Sequence, residues 1–266
     1  MVLVIVVAVV ALLAGLAANR YLRPRLLSED DGTGMAVKDL VGPLLTMTVL
    51  LLSFVLVTAN GSYGKAEISS RGEARALDQL VESAEYAPAA QRGEIQAGAV
   101  CYARAVRTQE WSAMADGNGS PAPSVWSTGF RQTFEDLQGK PAFGMLIAAD
   151  NERSDERDER LTQSSPSVPG AIFWFLLATL VITVVALGIC LPRTNNRGQL
   201  ITLTVITALL TTMLIIIRDV DRPFDGIIVV EPTAITEVER QATRDFLTNH
   251  AAPAIPCDDK GNRRTA

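Results

Sequence analysis

The chain has 266 residues, 48% of them hydrophobic, and its mean hydropathy of +0.22 is high for a soluble globular protein. No phosphate-binding loop, dinucleotide fingerprint or nucleophile elbow occurs, so the sequence gives no support for an enzyme or a bound cofactor. The one histidine, His250, has no cysteine or carboxylate at ligand spacing, which argues against a histidine-based metal site or catalytic triad.

The apolar residues fall into four runs that contain no charged residue and no histidine. Their lengths of 17, 20, 21 and 18 residues match the roughly 20 residues that a helix needs to cross a bilayer. The runs are 2–18, 40–59, 171–191 and 200–217. The sequence therefore predicts an all-α, multi-pass membrane protein with four transmembrane helices, and the lipid bilayer as a partner.

A cleaved signal peptide is the alternative for the first run, because Gly15 and Ala17 form a small-x-small pattern. However, no basic residue precedes this run, whereas Arg20, Arg23 and Arg25 follow it. This arrangement is typical of a retained anchor whose amino terminus lies outside.

Basic residues in the two short loops predict the orientation of the chain. Arg20, Arg23, Arg25 and Lys38 lie between the first two runs, and Arg193 and Arg197 lie between the last two, so we expect both loops to be cytoplasmic. Both termini and the 60–169 segment are then extracytoplasmic. That segment has 11 basic and 16 acidic residues, and 218–266 has 7 and 9, so this acidic surface should bind no nucleic acid.

The expected organisation has four parts: a first transmembrane pair with a short basic loop (1–59), an acidic helical domain (60–169), a second transmembrane pair (170–217) and a C-terminal segment (218–266). In the acidic domain, apolar stripes predict an antiparallel helical hairpin from 65–86 and 91–114. Further helices are predicted at 125–137 and 141–161. Glu156 and Arg160 are four residues apart on the last of these, which is typical of a solvated helix face.

The C-terminal segment contains one predicted helix and a polar tail. Thr236 and Glu239 resemble a capping box, which predicts a helix to about Leu247. The tail after His250 is expected to be disordered because it is polar and contains proline.

Cys101 and Cys257 would both lie on the outer side of the membrane. They either form a disulfide that ties the tail to the acidic domain or remain two unrelated thiols. Cys190 lies within the third run, where packing is its expected role.

Hydroxyl groups are the main polar feature of the transmembrane runs, which hold no ionisable residue of the kind that charge-coupled transporters use. Thr204, Thr207 and Thr211 share one helical face of the fourth run, and Thr179 and Thr183 are four residues apart in the third. They either line a hydrated pore formed by several subunits or serve helix packing within the bundle.

The end of the fourth run is followed by Arg218 to Asp225, a stretch of paired opposite charges. These charges either interact with each other or a neighbouring subunit, or simply anchor the helix at the interface. Pro223 and Gly226 would then end the helix.

Three stretches together resemble the bacterial bestrophin-like family, a group of four-span proteins classified as a domain of unknown function. The resemblance implies a protein of the bacterial plasma membrane. The first of the three stretches is similar to the family pattern LDRPFxG, with Val220 at the leucine position, and the other two match EAxAL and YAxxVxxxEWxxM. The residues that carry the resemblance are Asp221, Arg222, Pro223, Phe224 and Gly226 in the first, Glu73 to Leu77 in the second, and Tyr102, Glu110, Trp111 and Met114 in the third.

The resemblance implies a likeness to bestrophins, which are pentameric anion channels with cytosolic domains. The leading hypothesis is a homo-oligomeric, channel-like protein that passes small ions along a threonine-lined path. The alternative is a non-conducting accessory or envelope-sensing protein that binds a larger membrane complex through its outer domain. An acidic outer domain would favour cations over anions.

Overall fold

The computed structural model describes residues 1–21, 37–191, 197–249 and 255–264. The predictions that concern His250, Arg23, Arg25 and Arg193 therefore lie outside the described residues. The chain divides into two compact units. The membrane unit comprises Met1–Gly61 and Ser167–Asp221, and the extramembrane unit comprises Ser62–Pro166 and Arg222–Ala266.

Helices account for most of the described residues. In chain order they are α1 (Val2–Tyr21), α2 (Val37–Ala84), α3 (Ala89–Ala105), α4 (Trp111–Ala115), α5 (Ala122–Glu135), α6 (Ala142–Thr162), α7 (Gly170–Ile189), α8 (Arg197–Val220) and α9 (Thr233–Asn249). A π-helical turn, Val106–Glu110, joins α3 to α4. Among the described residues, four helices are long and apolar enough to cross a membrane, which confirms the four-span, all-α prediction.

Helices α1 and α7 of the membrane unit approach each other closely at two glycines. A Cβ atom added to Gly188 would lie 2.8 Å from Cα of Gly15, so only glycine allows this packing distance. One turn later, Nδ2 of Asn19 faces the carbonyl oxygens of Gly188, Ile189 and Leu191 at 2.7–3.0 Å. Asn19 thereby caps the C-terminus of α7, whose last carbonyls have no partner within the helix.

The core of the membrane unit is almost entirely aliphatic. Its fully or nearly fully buried side chains include Val4, Leu52, Leu180 and Leu214. Large apolar side chains also cover the outside of this unit, as lipid contact requires. Examples are Leu13, Phe54, Trp174 and Ile201.

In the extramembrane unit, the second half of α2 packs antiparallel to α3. Gln96 donates a hydrogen bond to Glu85, and Tyr102 donates one to Glu73, so the two helices run in opposite directions. Their apolar stripes share one core with α5, α6 and α9, which includes the fully buried Leu77. The predicted hairpin is therefore present, although its first helix is the direct continuation of a transmembrane helix.

The predicted disorder of the C-terminal tail is wrong for residues 255–264, which form a compact turn. Cys257 and Arg263 pair in an antiparallel bridge, and the Asp258 carboxylate accepts hydrogen bonds from the backbone N–H groups of Lys260 and Asn262. Gly261 has φ +79°, and a Cβ atom there would clash with the backbone nitrogen of Ala105. The turn is thus seated directly on α3.

Candidate functional site

The most distinctive polar feature of the extramembrane unit is a buried cluster of charges around Arg160. The guanidinium of Arg160 is fully buried and donates to Oε2 of Glu73 at 2.5 Å and to Oε2 of Glu110 at 2.6 Å. Its third nitrogen lies 2.9 Å from Sδ of Met114, and its carbon lies 5.1 Å from the ring centre of Trp111. One side chain of α6 therefore joins α2, the π-helical turn and α4.

Tyr102 and Arg157 extend the cluster at its two ends. Tyr102 donates its hydroxyl hydrogen to Oε1 of Glu73 at 2.5 Å, so both oxygens of Glu73 are occupied. Arg157 forms a two-pronged pair with Glu110, with its shortest distance 2.5 Å. The result is a continuous chain of hydrogen bonds from Tyr102 to Arg157, in which each buried charge has an opposite neighbour.

The pKa shifts of Glu110 and Arg160 favour their charged forms, and that of Tyr102 favours its neutral form. Burial alone would raise the pKa of Glu110, but the hydrogen bonds and charges of Arg157 and Arg160 outweigh it, and the pKa is lowered. Burial would lower the pKa of Arg160, yet Glu73 and Glu110 raise it. Burial, followed by the negative charge of Glu73, raises the pKa of Tyr102, so its hydroxyl keeps its proton.

The structure brings together all four outer-domain residues that the sequence singled out. Glu73, Tyr102 and Glu110 bond within the cluster, and Trp111 lies against Arg160. Arg160 itself was missed. Its expected pairing with Glu156 on a solvated face is wrong, because its partners come from other helices and it is fully buried. The presence of Glu156 four residues before Arg160 does not show whether Arg160 is buried or exposed.

A second arginine of α6, Arg153, is also almost fully buried. It pairs with Asp150 at 2.5 Å, and its guanidinium lies over the ring of Tyr102 at 4.5 Å. The alternating charges of 150–160 thus contain three inward-facing arginines at intervals of three or four residues. This periodicity was the signal in the sequence that could have identified them.

The stretch that follows α8 is held at both ends. Oδ1 of Asp221, in the membrane unit, accepts hydrogen bonds from the backbone N–H groups of Ser167 and Val168 and from the Ser167 hydroxyl, at 2.7–2.9 Å. In the extramembrane unit, Phe224 packs edge-on against Trp111 with ring centres 5.5 Å apart.

The other residues of this motif form an exposed ion pair and the loop backbone. Arg222 and Asp225 form an exposed pair at 3.5 Å, and exposed pairs of this kind contribute little to stability. Pro223 contributes its carbonyl oxygen, which accepts a hydrogen bond from Val230. Gly226 adopts φ +139°, a conformation that side chains disfavour.

The predicted threonines do not share one environment. Thr183 is fully buried, 2.7 Å from the hydroxyl oxygen of Thr48 on α2, and Thr207 and Thr211 are also buried within the membrane unit. Thr204 is exposed on its surface, and Thr179 is half-buried. Of these five hydroxyls, those of Thr179, Thr204, Thr207 and Thr211 donate to the carbonyl four residues earlier.

Helix α2 carries a row of polar side chains that the sequence analysis did not single out. Thr46, Ser53 and Asn60 follow each other at intervals of seven residues, which places them on one helical face. Thr46 and Asn60 are exposed and Ser53 is half-buried in the protomer. The regular spacing was visible in the sequence.

Cys101 and Cys257 form a disulfide with a sulfur–sulfur distance of 2.03 Å and no exposed surface. It joins α3 to the C-terminal turn. Trp126 and Gln109 reinforce the junction by donating hydrogen bonds to the carbonyl oxygens of Gly261 and Lys260, at 2.8 and 2.7 Å. The third cysteine, Cys190, is half-buried at the end of α7 and is not part of a disulfide.

An open groove of about 810 Å³ lies between α3 and α5. Small residues such as Gly93, Ala97 and Gly129 form much of its surface, Trp126 lines it as well, and the C-terminal turn contributes Pro256. Over the described residues, no three His, Cys, Asp or Glu side chains are arranged to hold a metal ion.

Comparisons with known proteins agree with this architecture. A bacterial bestrophin homolog from Klebsiella pneumoniae has a TM-score of 0.69 and 14% identity, and the match covers 92% of this chain and 99% of that chain. A mutant of the Klebsiella pneumoniae bestrophin homolog gives 0.70 and 14% over 91% and 98%. No curated protein matches the chain. The profile of the bestrophin-like domain matches residues 4–235, so the chain belongs to the bestrophin-like domain family.

Proposed function

We propose that this integral membrane protein assembles as a homo-oligomer and passes small ions along a path lined by hydroxyl groups. The observation that carries the proposal is the polar face of α2, on which Thr46 and Asn60 are exposed and Ser53 is half-buried. Thr46 and Ser53 donate their hydroxyl hydrogens to the carbonyls of Gly42 and Val49, which leaves their oxygens as acceptors. A water-filled path between subunits would hydrate these oxygens, whereas lipid would not. Four spans seldom enclose a conduit, so the path requires several copies.

Thr204 on α8 belongs to the same proposal. Its hydroxyl hydrogen is used by the carbonyl of Leu200, which leaves the oxygen lone pairs on the exposed surface. Neutral oxygens of this kind can replace part of the hydration shell of an ion. Thr183, Thr207 and Thr211 are buried inside one protomer, and we assign them to helix packing instead.

The orientation in this proposal puts the extramembrane unit and both termini outside the cytoplasm. The disulfide between Cys101 and Cys257 supports it, because such bonds persist in oxidising compartments and are rare in the cytosol. The acidic excess of the 60–169 segment would then attract cations to the outer mouth of the path.

Conductance recording with paired substitutions tests the ion path. Thr46→Val and Thr204→Val remove exposed hydroxyls at nearly constant volume, while Thr207→Val removes a buried one. In planar bilayers the first two should change the unitary conductance and the third should leave it unaltered. Native mass spectrometry of gently solubilised protein should show a closed homo-oligomer of at least four copies. A silent bilayer with correctly folded oligomers would contradict the proposal.

An accessory role is the second candidate, and the groove between α3 and α5 is the observation that favours it. Small side chains such as Gly93 and Ala97 would let another polypeptide approach these helices closely. If the protein is an accessory subunit, purification from its own membranes should yield one stoichiometric foreign membrane protein. Ala90→Trp, which fills the groove, should release that protein, whereas the exposed control Gln138→Trp should retain it.

A further inference from the structure

The loop after the last transmembrane helix is closed and held from inside the extramembrane unit. The backbone N–H of Val230 donates to the carbonyl of Pro223 at 2.7 Å, which closes residues 223–230 into a loop. Phe224 and Val230 are buried. Trp111 fixes both, because its ring packs on Phe224 and its Nε1 donates to the Val230 carbonyl at 3.1 Å. The two ends of the loop are therefore rigid.

The tip of this loop presents two isoleucines outwards. The side chain of Ile227 is 77% exposed and that of Ile228 is 41% exposed. Gly226, with φ +139°, makes the turn that directs them there. Adjacent branched apolar side chains on a rigid loop are unfavourable in water, so an apolar environment would stabilise this arrangement.

Two features connect the tip along the chain to segments that end apolar helices. The hydroxyl of Tyr63 on α2 donates to the carbonyl of Val229 at 3.4 Å. Tyr63 follows Ala59, the last residue of the charge-free run of α2, by one helical turn, a rise of about 6 Å. Val220, the last residue of α8, precedes Ile227 by only seven residues. Tyrosine itself is enriched where transmembrane helices leave the hydrocarbon.

We propose that Ile227 and Ile228 form a membrane-interface anchor that inserts into the headgroup region of the bilayer. The partner is the lipid surface, which accepts apolar side chains to a depth of about 5–10 Å. Arg222 and Asp225, both about half exposed, flank the tip with groups that suit a polar headgroup layer. The anchor fixes the extramembrane unit to the membrane independently of whether the protein conducts ions.

Depth measurement by spin labelling tests the anchor in the full-length protein in lipid nanodiscs. Cys190→Ser removes the cysteine that is not in a disulfide, and Ile227→Cys or Ile228→Cys then carries the nitroxide while the native disulfide stays oxidised. Tyr86→Cys is the matched control, because Tyr86 is 71% exposed and follows Tyr63 by 23 residues. Power saturation with oxygen and with a water-soluble nickel chelate reports lipid and water exposure, respectively.

At positions 227 and 228, collisions with oxygen should exceed those with the nickel chelate several-fold, and the ratio should reverse at position 86. A nickel accessibility at both loop positions equal to that at position 86 would overturn the proposal. Low accessibility to both reagents would also overturn it, because that result means that protein, not lipid, covers the tip. Because two positions are labelled, the test remains decisive if one of the two variants fails to fold.

Discussion

Nη2 of Arg160 donates a 2.6 Å hydrogen bond to Oε2 of Glu110, although 50 residues separate the two in the chain. Neither side chain has any exposed surface. The pair connects α6 to the π-helical turn, and through Glu73 it also reaches the extension of α2. Since a buried charge is tolerable only with a partner, removal of one member should disturb the whole unit.

Arg160→Met should lower the free energy of unfolding by about 3–5 kcal/mol, because it leaves Glu73 and Glu110 buried without their shared partner. Thermal unfolding in detergent, followed by tryptophan fluorescence, measures the change, since Trp111 lies 5.1 Å from Arg160. Arg71→Met is the control. Arg71 pairs with Glu67 at the surface, and its loss should cost under about 1 kcal/mol. Equal effects of the two substitutions would show that the cluster is not structurally important.

Acid should destabilise the extramembrane unit through Glu110. The pKa of Glu110 is lowered in the folded protein, whereas an unfolded glutamate titrates near about 4.3. Its contribution is therefore fully present above that pH and is lost as the pH falls through the folded pKa. The melting temperature, measured between neutral pH and pH 3, should fall on the acid side. Glu110→Gln should start from a lower melting temperature and show a shallower acid slope; an unchanged slope would contradict the assignment.

Cys257→Ser should release the C-terminal turn from α3. Loss of a native disulfide typically costs roughly 2–5 kcal/mol, so we expect a clear decrease in melting temperature. Limited trypsin digestion should also cleave at Arg263 or Arg264 sooner than in the wild type. Cys190→Ser, which affects no disulfide, is the matched control. A tail that remains resistant in Cys257→Ser would mean that Trp126 and Gln109 hold it without the covalent bond.

Gly188→Ala should destabilise the membrane unit, because the new methyl group would meet the backbone of Gly15 at 2.8 Å. Overpacking of this kind costs about 1–3 kcal/mol. Gly42→Ala provides a control in which nothing lies within 4 Å of the added atom, so the better helix propensity of alanine should prevail. Thermal unfolding in the same detergent compares the two. The prediction fails if both substitutions raise the melting temperature.

The sequence predicts the spans well because each is decided within its own segment. A run such as 171–191 has no charge and the right length, and no distant residue can change that conclusion. The helical nature of 60–169 is predicted for the same reason, through stripes that repeat every three or four residues.

The cluster around Arg160 could not be derived in the same way. The burial of Arg160 depends on Glu73 and Glu110, which are 87 and 50 residues away. The local alternation of charge predicts an exposed helix face instead. The order of the C-terminal turn likewise depends on Cys101, 156 residues before Cys257. Family resemblance identified Glu73, Tyr102 and Glu110, but only the fold explains why these side chains are placed together.

The disulfide has one further consequence, which concerns the covalent path of the chain. Its ring begins at Cys101, passes through α7 and α8, and returns at Cys257, so it includes two membrane crossings. The two cysteines can meet only if both crossings are complete and the chain has come back to the side from which it left. Formation of this disulfide therefore requires that both helices have crossed the membrane correctly. A protease cut anywhere within the ring would leave the two fragments joined until a reductant separates them.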